Sequence, residues 1–166
     1  MTDSLSDPQI ILIVDDNEQD YMATSRAFKK FNLRNQTVWC KSGQEALAYL
    51  RHEGAFKDVK STPGIILLDL NMPEMSGHET LNLIKNDENL KYIPVVMLTS
   101  SDDSGDIMTS FQEGVNSYVQ KPVSFEKMIT AIKGLNEYWF EISLLPKQPK
   151  APDSEAFMAT RTGLPK

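Results

Sequence analysis

The chain has 166 residues, a formal net charge of −6 and a single cysteine. That length suits one domain with one sizeable core. The acidic balance, without any Lys/Arg cluster, argues against a nucleic-acid surface, which needs a basic face.

Residues 1–8 are polar and acidic and read as a flexible terminus. They lack the basic and apolar regions of a signal peptide, and no apolar run approaches bilayer length, so a cytoplasmic protein is expected. Ile10-Ile11-Leu12-Ile13-Val14 is wholly apolar and mostly β-branched, which suits a parallel strand buried on both faces. Asp15-Asp16-Asn17 ends it, and a helical stripe of Tyr21, Thr24, Phe28 and Phe31 follows. Gln36 to Cys40 is a second strand, where Cys40 reads as a buried structural thiol that cannot form an internal disulfide. Ser42 is placed to cap a helix containing Ala46, Leu47 and Leu50, with Glu45 at the third position as in a capping box. A long connection runs from His52 to Gly64. Ile65-Ile66-Leu67-Leu68 is a third strand stopped by Asp69, and Ser76 to Lys85 is a short helix. Pro94 to Leu98 is a fourth strand ending at Thr99. Ser101 to Glu113 is helical, with Gly114 as its stop. Ser117 to Gln120 is a fifth strand. Ser124 caps a last helix, with Phe125, Met128, Ile129, Ile132, Leu135 and Trp139 facing inward. The main domain is expected over 9–140. An extension over 141–166 is apolar to about residue 146 and, past Pro146, rich in Lys, Pro, Ala, Ser and Thr, so disorder is expected there.

Strands alternate with helices five times, which gives an α/β domain with a doubly wound parallel sheet and right-handed crossovers. The polar residues then fall at one edge. Asp15 and Asp16 follow strand one, Asp69 strand three, Thr99 strand four and Lys121 strand five. In a parallel sheet these are all C-terminal ends, where ligands bind at the point at which strand order switches. With the order 2-1-3-4-5, strands one and three flank that point and crowd the three aspartates together. Crowded carboxylates repel and need a positive partner. Oxygen-only ligands with room for water point to a hard cation, Mg²⁺ rather than a calcium cage. Lys121 adds a second positive charge and Thr99 a hydroxyl. A metal, a lysine, a hydroxyl and an open carboxylate form a phosphoryl-transfer site with the carboxylate as nucleophile. Singly, each aspartate reads equally well as a helix cap or turn residue. Lys121 alone reads as a surface lysine, but Pro122 follows it, and that X-Pro bond can be cis or trans.

Val14-Asp15-Asp16-Asn17, Leu68-Asp69-Leu70-Asn71-Met72-Pro73-Glu74-Met75-Ser76-Gly77, Leu98-Thr99-Ser100 and Tyr118-Val119-Gln120-Lys121-Pro122 together resemble the response-regulator receiver family, over about residues 8 to 140. The resemblance implies a flavodoxin-like fold with five helices and a signalling phosphoprotein that catalyses only its own phosphorylation and dephosphorylation. By that resemblance Asp69 is the phosphoacceptor. Asp16, Asp69 and the Asn71 backbone carbonyl bind Mg²⁺, with Asp15 helping through water. Lys121 pairs with the phosphoryl oxygens, Thr99 turns its hydroxyl to them, and the Ser100 backbone N–H assists. Tyr118 is the aromatic switch, while Pro73 and Gly77 shape the loop after Asp69. Asn71 and Ser101 tune the lifetime of the phosphorylated state. The long His52–Gly64 connection and the stretch Asn136 to Pro146 are similar to the small regulators that partner phytochrome-type histidine kinases.

Tyr138, Trp139, Phe140, Ile142, Leu144 and Leu145 are too apolar for a free tail. Either they fold back on their own domain or they form a partner surface. The expectation is a homodimer through the fourth helix, fifth strand, fifth helix and this extension. No effector domain is expected beyond it, so output passes by contact with another protein or by onward phosphotransfer. A receiver serving another histidine kinase is one alternative, and an aspartyl-phosphate-forming phosphatase is the other. The phosphatase fits less well, because a D-x-D motif after the first strand is replaced by Asp15-Asp16-Asn17. A flavin carrier needs a Ser/Thr/Gly-rich phosphate loop there, where Asp15-Asp16 would repel phosphate. A calcium loop at Asp69 fails because Pro73 and Glu74 occupy ligand and glycine places.

Overall fold

In a computed structural model, residues 9–30 and 35–142 are described, the last two in backbone only. Five four- or five-residue strands form the sheet: β1 Ile11–Val14, β2 Thr37–Cys40, β3 Ile65–Leu68, β4 Val95–Thr99 and β5 Ser117–Gln120. Their order is β2-β1-β3-β4-β5, and every pairing is parallel. The helices are α1 Glu18–Lys30, α2 Gly43–Leu50, α3 Gly77–Lys85, α4 Ser104–Gln112 and α5 Phe125–Asn136. A 3₁₀ turn at Gly54–Phe56 breaks the connection before β3, and a π-helical turn, Glu137–Ile142, extends α5.

The alternation of side chains along the central strands divides the interior into two layers. Leu12, Val14, Ile66, Leu68, Val95 and Met97 point to one face, where Ala46, Leu47, Tyr49 and Leu50 of α2 and Leu81 and Ile84 of α3 cover them. Ile11, Ile13, Ile65, Leu67, Val96 and Leu98 point to the other, under Ala27 and Phe28 of α1 and Met128 and Ile132 of α5. Because β1, β3 and β4 are buried on both faces, they consist of unbroken apolar runs.

Local capping fixes where the helices start. Ser42 Oγ accepts from the Glu45 N–H at 3.1 Å, but the Glu45 carboxylate accepts from Lys41 N–H at 2.7 Å, so no reciprocal box closes there. The reciprocal box forms at α3, where Ser76 and Glu79 bond each other's backbone N–H. α4 starts three residues later than the sequence pattern suggests. The Asp103 carboxylate accepts from the N–H groups of Gly105 and Asp106 and takes the cap position, while the Ser101 hydroxyl bonds Asp106 Oδ2 at 2.6 Å.

One expected orientation is corrected and one open alternative is decided. Phe125, expected to face inward, is 45% exposed in the first turn of α5. Trp139, expected to face inward on the last helix and also weighed as part of a partner surface, is 8% exposed and belongs to the α1/α5 layer, which is the inward reading. Within the π-helical turn, Tyr138 is exposed beside it at 5.0 Å, edge to face, and Phe140 is half-buried. Phe31, Leu144 and Leu145 lie outside the described residues, and of Ile142 only the backbone is described.

Candidate functional site

The register of the sheet assembles the site. β1 and β3 are neighbours with Val14 opposite Leu68, so the residues that follow them, Asp15 and Asp69, emerge side by side. A backbone bond from Asp69 N–H to the Val14 carbonyl, 2.9 Å, continues the ladder to that point. β4 ends with Thr99 opposite Gln120 of β5, which puts Lys121 next to the same edge, and Lys121 N–H bonds the Thr99 carbonyl at 2.7 Å. The Lys121–Pro122 bond is trans.

Carboxylate oxygens of Asp15, Asp16 and Asp69 lie within 4.8 Å of one another. Asp15 and Asp69 are buried, and Asp16 is exposed. Lys121 Nζ reaches into the group, 2.7 Å from Asp15 Oδ2, 3.0 Å from Asp20 Oδ2 and 3.5 Å from Asp69 Oδ2. Burial pushes the Asp69 carboxyl up to about 6. The Lys121 charge works against this, the Asp15 charge adds to it, and the Thr99 hydroxyl and Leu70 N–H lower it. Burial raises Asp15 as well, although its bonds to Lys121 and to the Asn17 N–H oppose the rise. For Lys121, burial acts downward, but Asp15, Asp69 and Asp20 outweigh it and hold the ammonium charged. One lysine thus faces more negative charge than it can neutralise. The donor set is oxygen only and open to solvent on the Asp16 side, which suits a divalent cation.

Close packing holds the segment behind Asp69. Gly77 N–H bonds the Leu70 carbonyl at 2.8 Å, and a Cβ on Gly77 would overlap the Asp69 carbonyl and stand 2.7 Å from Leu70 Cα. The loop between passes through Glu74 at φ 66°, with Met75 N–H on the Pro73 carbonyl. Asn71, Pro73 and Glu74 are exposed in it. Thr99 is fully buried, and its hydroxyl accepts from the Ser101 N–H at 3.3 Å. Ser100 between them is exposed. Tyr118 is half-buried, its ring against the α2/α3 layer and its hydroxyl donating to the Ser101 carbonyl at 3.0 Å. Thr99 and Tyr118 are therefore joined through one residue, Ser101.

Two residues at the site escape the strand-end pattern. Asp20 lies in the first turn of α1, where it reads as an ordinary acidic residue of a helix start and no local signal marks it. Trp39 sits near the end of β2, stacks on Tyr21 at 4.5 Å and donates its indole N–H to the Asp15 carbonyl at 2.8 Å. It braces the turn that presents Asp15 and Asp16.

This sheet order and this edge cluster define a receiver-type α/β domain. The chain belongs to the response regulator receiver domain family, whose model matches residues 11–133. It is 42% identical over 134 residues to the probable methanogenesis regulatory protein FilR2 of Methanothrix harundinacea, covering 80% of this chain and 84% of that one. It is 32% identical over 146 residues to the response regulator Rcp1 of Synechocystis sp., covering 88% and 99%. A crystal structure of Rcp1 in its Mn²⁺-bound form superposes with a TM-score of 0.78 over 84% of this chain and 100% of that chain, at 32% identity. The phosphorylated cyanobacterial phytochrome response regulator RcpA superposes with a TM-score of 0.80 at 37% identity, over 84% and 99%. The chain is thus similar to phytochrome response regulators, and its family is a signalling family. Among the described residues no helix is long and apolar enough to cross a membrane.

Proposed function

We propose that the protein takes a phosphoryl group from a histidine kinase onto Asp69 and signals through the change this makes around Thr99 and Tyr118. One observation carries the reading. A nearly buried carboxylate with a pKa of about 6 stands 3.5 Å from a lysine and within ligand distance of two further aspartates. At neutral pH such a group is ionised, more basic than an ordinary aspartate, and unencumbered enough to attack phosphorus. An Asp69 oxygen forms the P–O bond, and the electron pair of the P–N bond returns to the imidazole of the kinase. Asp15, Asp16, Asp69 and the Asn71 carbonyl would hold Mg²⁺, which supplies positive charge against the phosphoryl oxygens. Lys121 supplies the rest from the opposite side. The Thr99 hydroxyl and Ser100 N–H donate to the same oxygens, and when Thr99 turns from the Ser101 N–H toward them, it releases the residue whose carbonyl the Tyr118 hydroxyl bonds. The protein turns over no metabolite.

The similarity to RcpA and Rcp1 supports a phytochrome-type kinase as the donor. Exposed Met108 and Phe111 on α4 and exposed Tyr138 after α5 support self-association through α4, β5, α5 and the following turn. The domain runs over 9–140, in the cytoplasm. The test is incubation with a small phosphoramidate and Mg²⁺, followed by intact mass. A gain of one phosphoryl group is expected in the parent protein and none in Asp69→Asn. Undiminished labelling of that variant would refute the assignment. Sedimentation of a strict monomer in both phosphorylation states would sink the dimer.

A further inference from the structure

Lys121 poses a problem for metal loading, because the two buried carboxylates a cation needs are those the lysine already faces. Nζ bonds Asp15 Oδ2 at 2.7 Å and stands 3.5 Å from Asp69 Oδ2, with the lysine side chain 10% exposed. An ammonium so enclosed competes directly with a divalent cation for the same oxygens. The structure also shows an acceptor outside the cation's ligand group. Asp20 Oδ2 accepts from Lys121 Nζ at 3.0 Å, and the Asp20 side chain is 46% exposed. The Asp20 backbone is fixed locally: its N–H bonds Asn17 Oδ1 at 3.0 Å, and its carbonyl accepts from Thr24 Oγ1 at 3.0 Å. It sits in the first turn of α1, where the helix dipole favours a carboxylate.

We propose that Asp20 is a positioning residue that draws Lys121 away from Asp15 and Asp69 so that a divalent cation can occupy the acidic cluster. The inference rests on the phosphoryl-acceptor reading of that cluster. Lys121 has three N–H donors, two of them now on Asp15 and Asp20. When a cation takes the Asp15 and Asp69 oxygens, the lysine keeps Asp20 and need not be left buried without a partner. Without Asp20, the same lysine closes on Asp69, and the cation must displace it outright. Asp20 thereby keeps the nucleophilic oxygen open, with Lys121 beside it.

The experiment is a double-mutant cycle read by metal affinity. Mn²⁺ binding is followed by the EPR signal of the free ion, for the parent, Asp20→Asn, Asp20→Glu, Lys121→Met and the double variant Asp20→Asn/Lys121→Met. Circular dichroism checks that each is folded. Asp20→Asn should weaken Mn²⁺ by about two- to fivefold, the range of a half-exposed ion pair. Asp20→Glu should restore most of that, and Lys121→Met should bind more tightly than the parent. In the Lys121→Met background, Asp20→Asn should change nothing. Equal affinity of Asp20→Asn and the parent overturns the proposal. So does an equal loss in both backgrounds, which would make Asp20 only a distant charge. A parent that binds no Mn²⁺ overturns the reading of the cluster itself, and this inference with it.

Discussion

Replacing Asp69 by Asn should stabilise the metal-free protein at neutral pH and leave it little changed in acid. Burial raises the Asp69 carboxyl from an ordinary 3.8 to about 6. The folded state therefore binds this proton more tightly than the unfolded state. Stability from this group is fully present below about pH 4, falls as pH rises to about 6, and stays low above that. A rise of this size corresponds to roughly 3 kcal/mol at pH 8. Asparagine is nearly isosteric and carries no charge, and Lys121 keeps Asp15 and Asp20 as partners. Some attraction to Lys121 is lost, so a net gain of about 1–3 kcal/mol is expected, or a few degrees in Tm for a chain of this size. The assay is thermal unfolding of both proteins in chelator from pH 4 to pH 8. Other titrating groups are common to both, so the difference curve isolates Asp69. It should open between about pH 4 and 6 and plateau above. Parallel curves, or an Asp69→Asn variant less stable at pH 8, would refute the account of charge crowding. Added Mg²⁺ should narrow the gap by stabilising the parent more.

Gly77→Ala pushes a methyl into backbone at Asp69 and Leu70, which cannot move as a side chain would; about 1–3 kcal/mol should be lost, seen as a lower denaturant midpoint at unchanged slope. Trp139→Ala should cost about 3 kcal/mol as a buried aromatic, while Trp139→Phe should cost under about 1, because the indole N–H has no hydrogen-bond partner among the described residues. An Ala variant as stable as the parent would mean the side chain serves a partner surface instead. Tyr118→Phe removes the bond to the Ser101 carbonyl, so amide hydrogen exchange over residues 101–106 should quicken while global stability drops by no more than about 1 kcal/mol.

The sheet was legible because its physics is simple. Strands buried on both faces must be apolar throughout, so Ile65–Leu68 stands out to the residue between Gly64 and Asp69. The aspartates, Thr99 and Lys121 were legible because a parallel sheet sends all its strand ends to one edge. What stayed hidden depends on competition among neighbours. Ser101 and Asp103 are both fair caps for α4, and only the fold shows Ser101 committed to Thr99, Tyr118 and Asp106. Asp20 reads as an ordinary acidic residue in a helix's first turn until Lys121, more than a hundred positions away, meets it. Trp39 reads as strand filling, and its bond to the Asp15 carbonyl depends on the pairing of β1 with β2. The inward side of Trp139, by contrast, was legible, because it lies seven positions past Ile132 on the apolar stripe of α5.

The central claim is that Asp69 accepts the phosphoryl group. Its most direct test is to phosphorylate the protein, reduce the acyl phosphate with borohydride and map the digest by tandem mass spectrometry. The account predicts homoserine at position 69 and nowhere else. Homoserine at position 15 or 16, or none at 69 in a protein that had gained the phosphoryl mass, would contradict it.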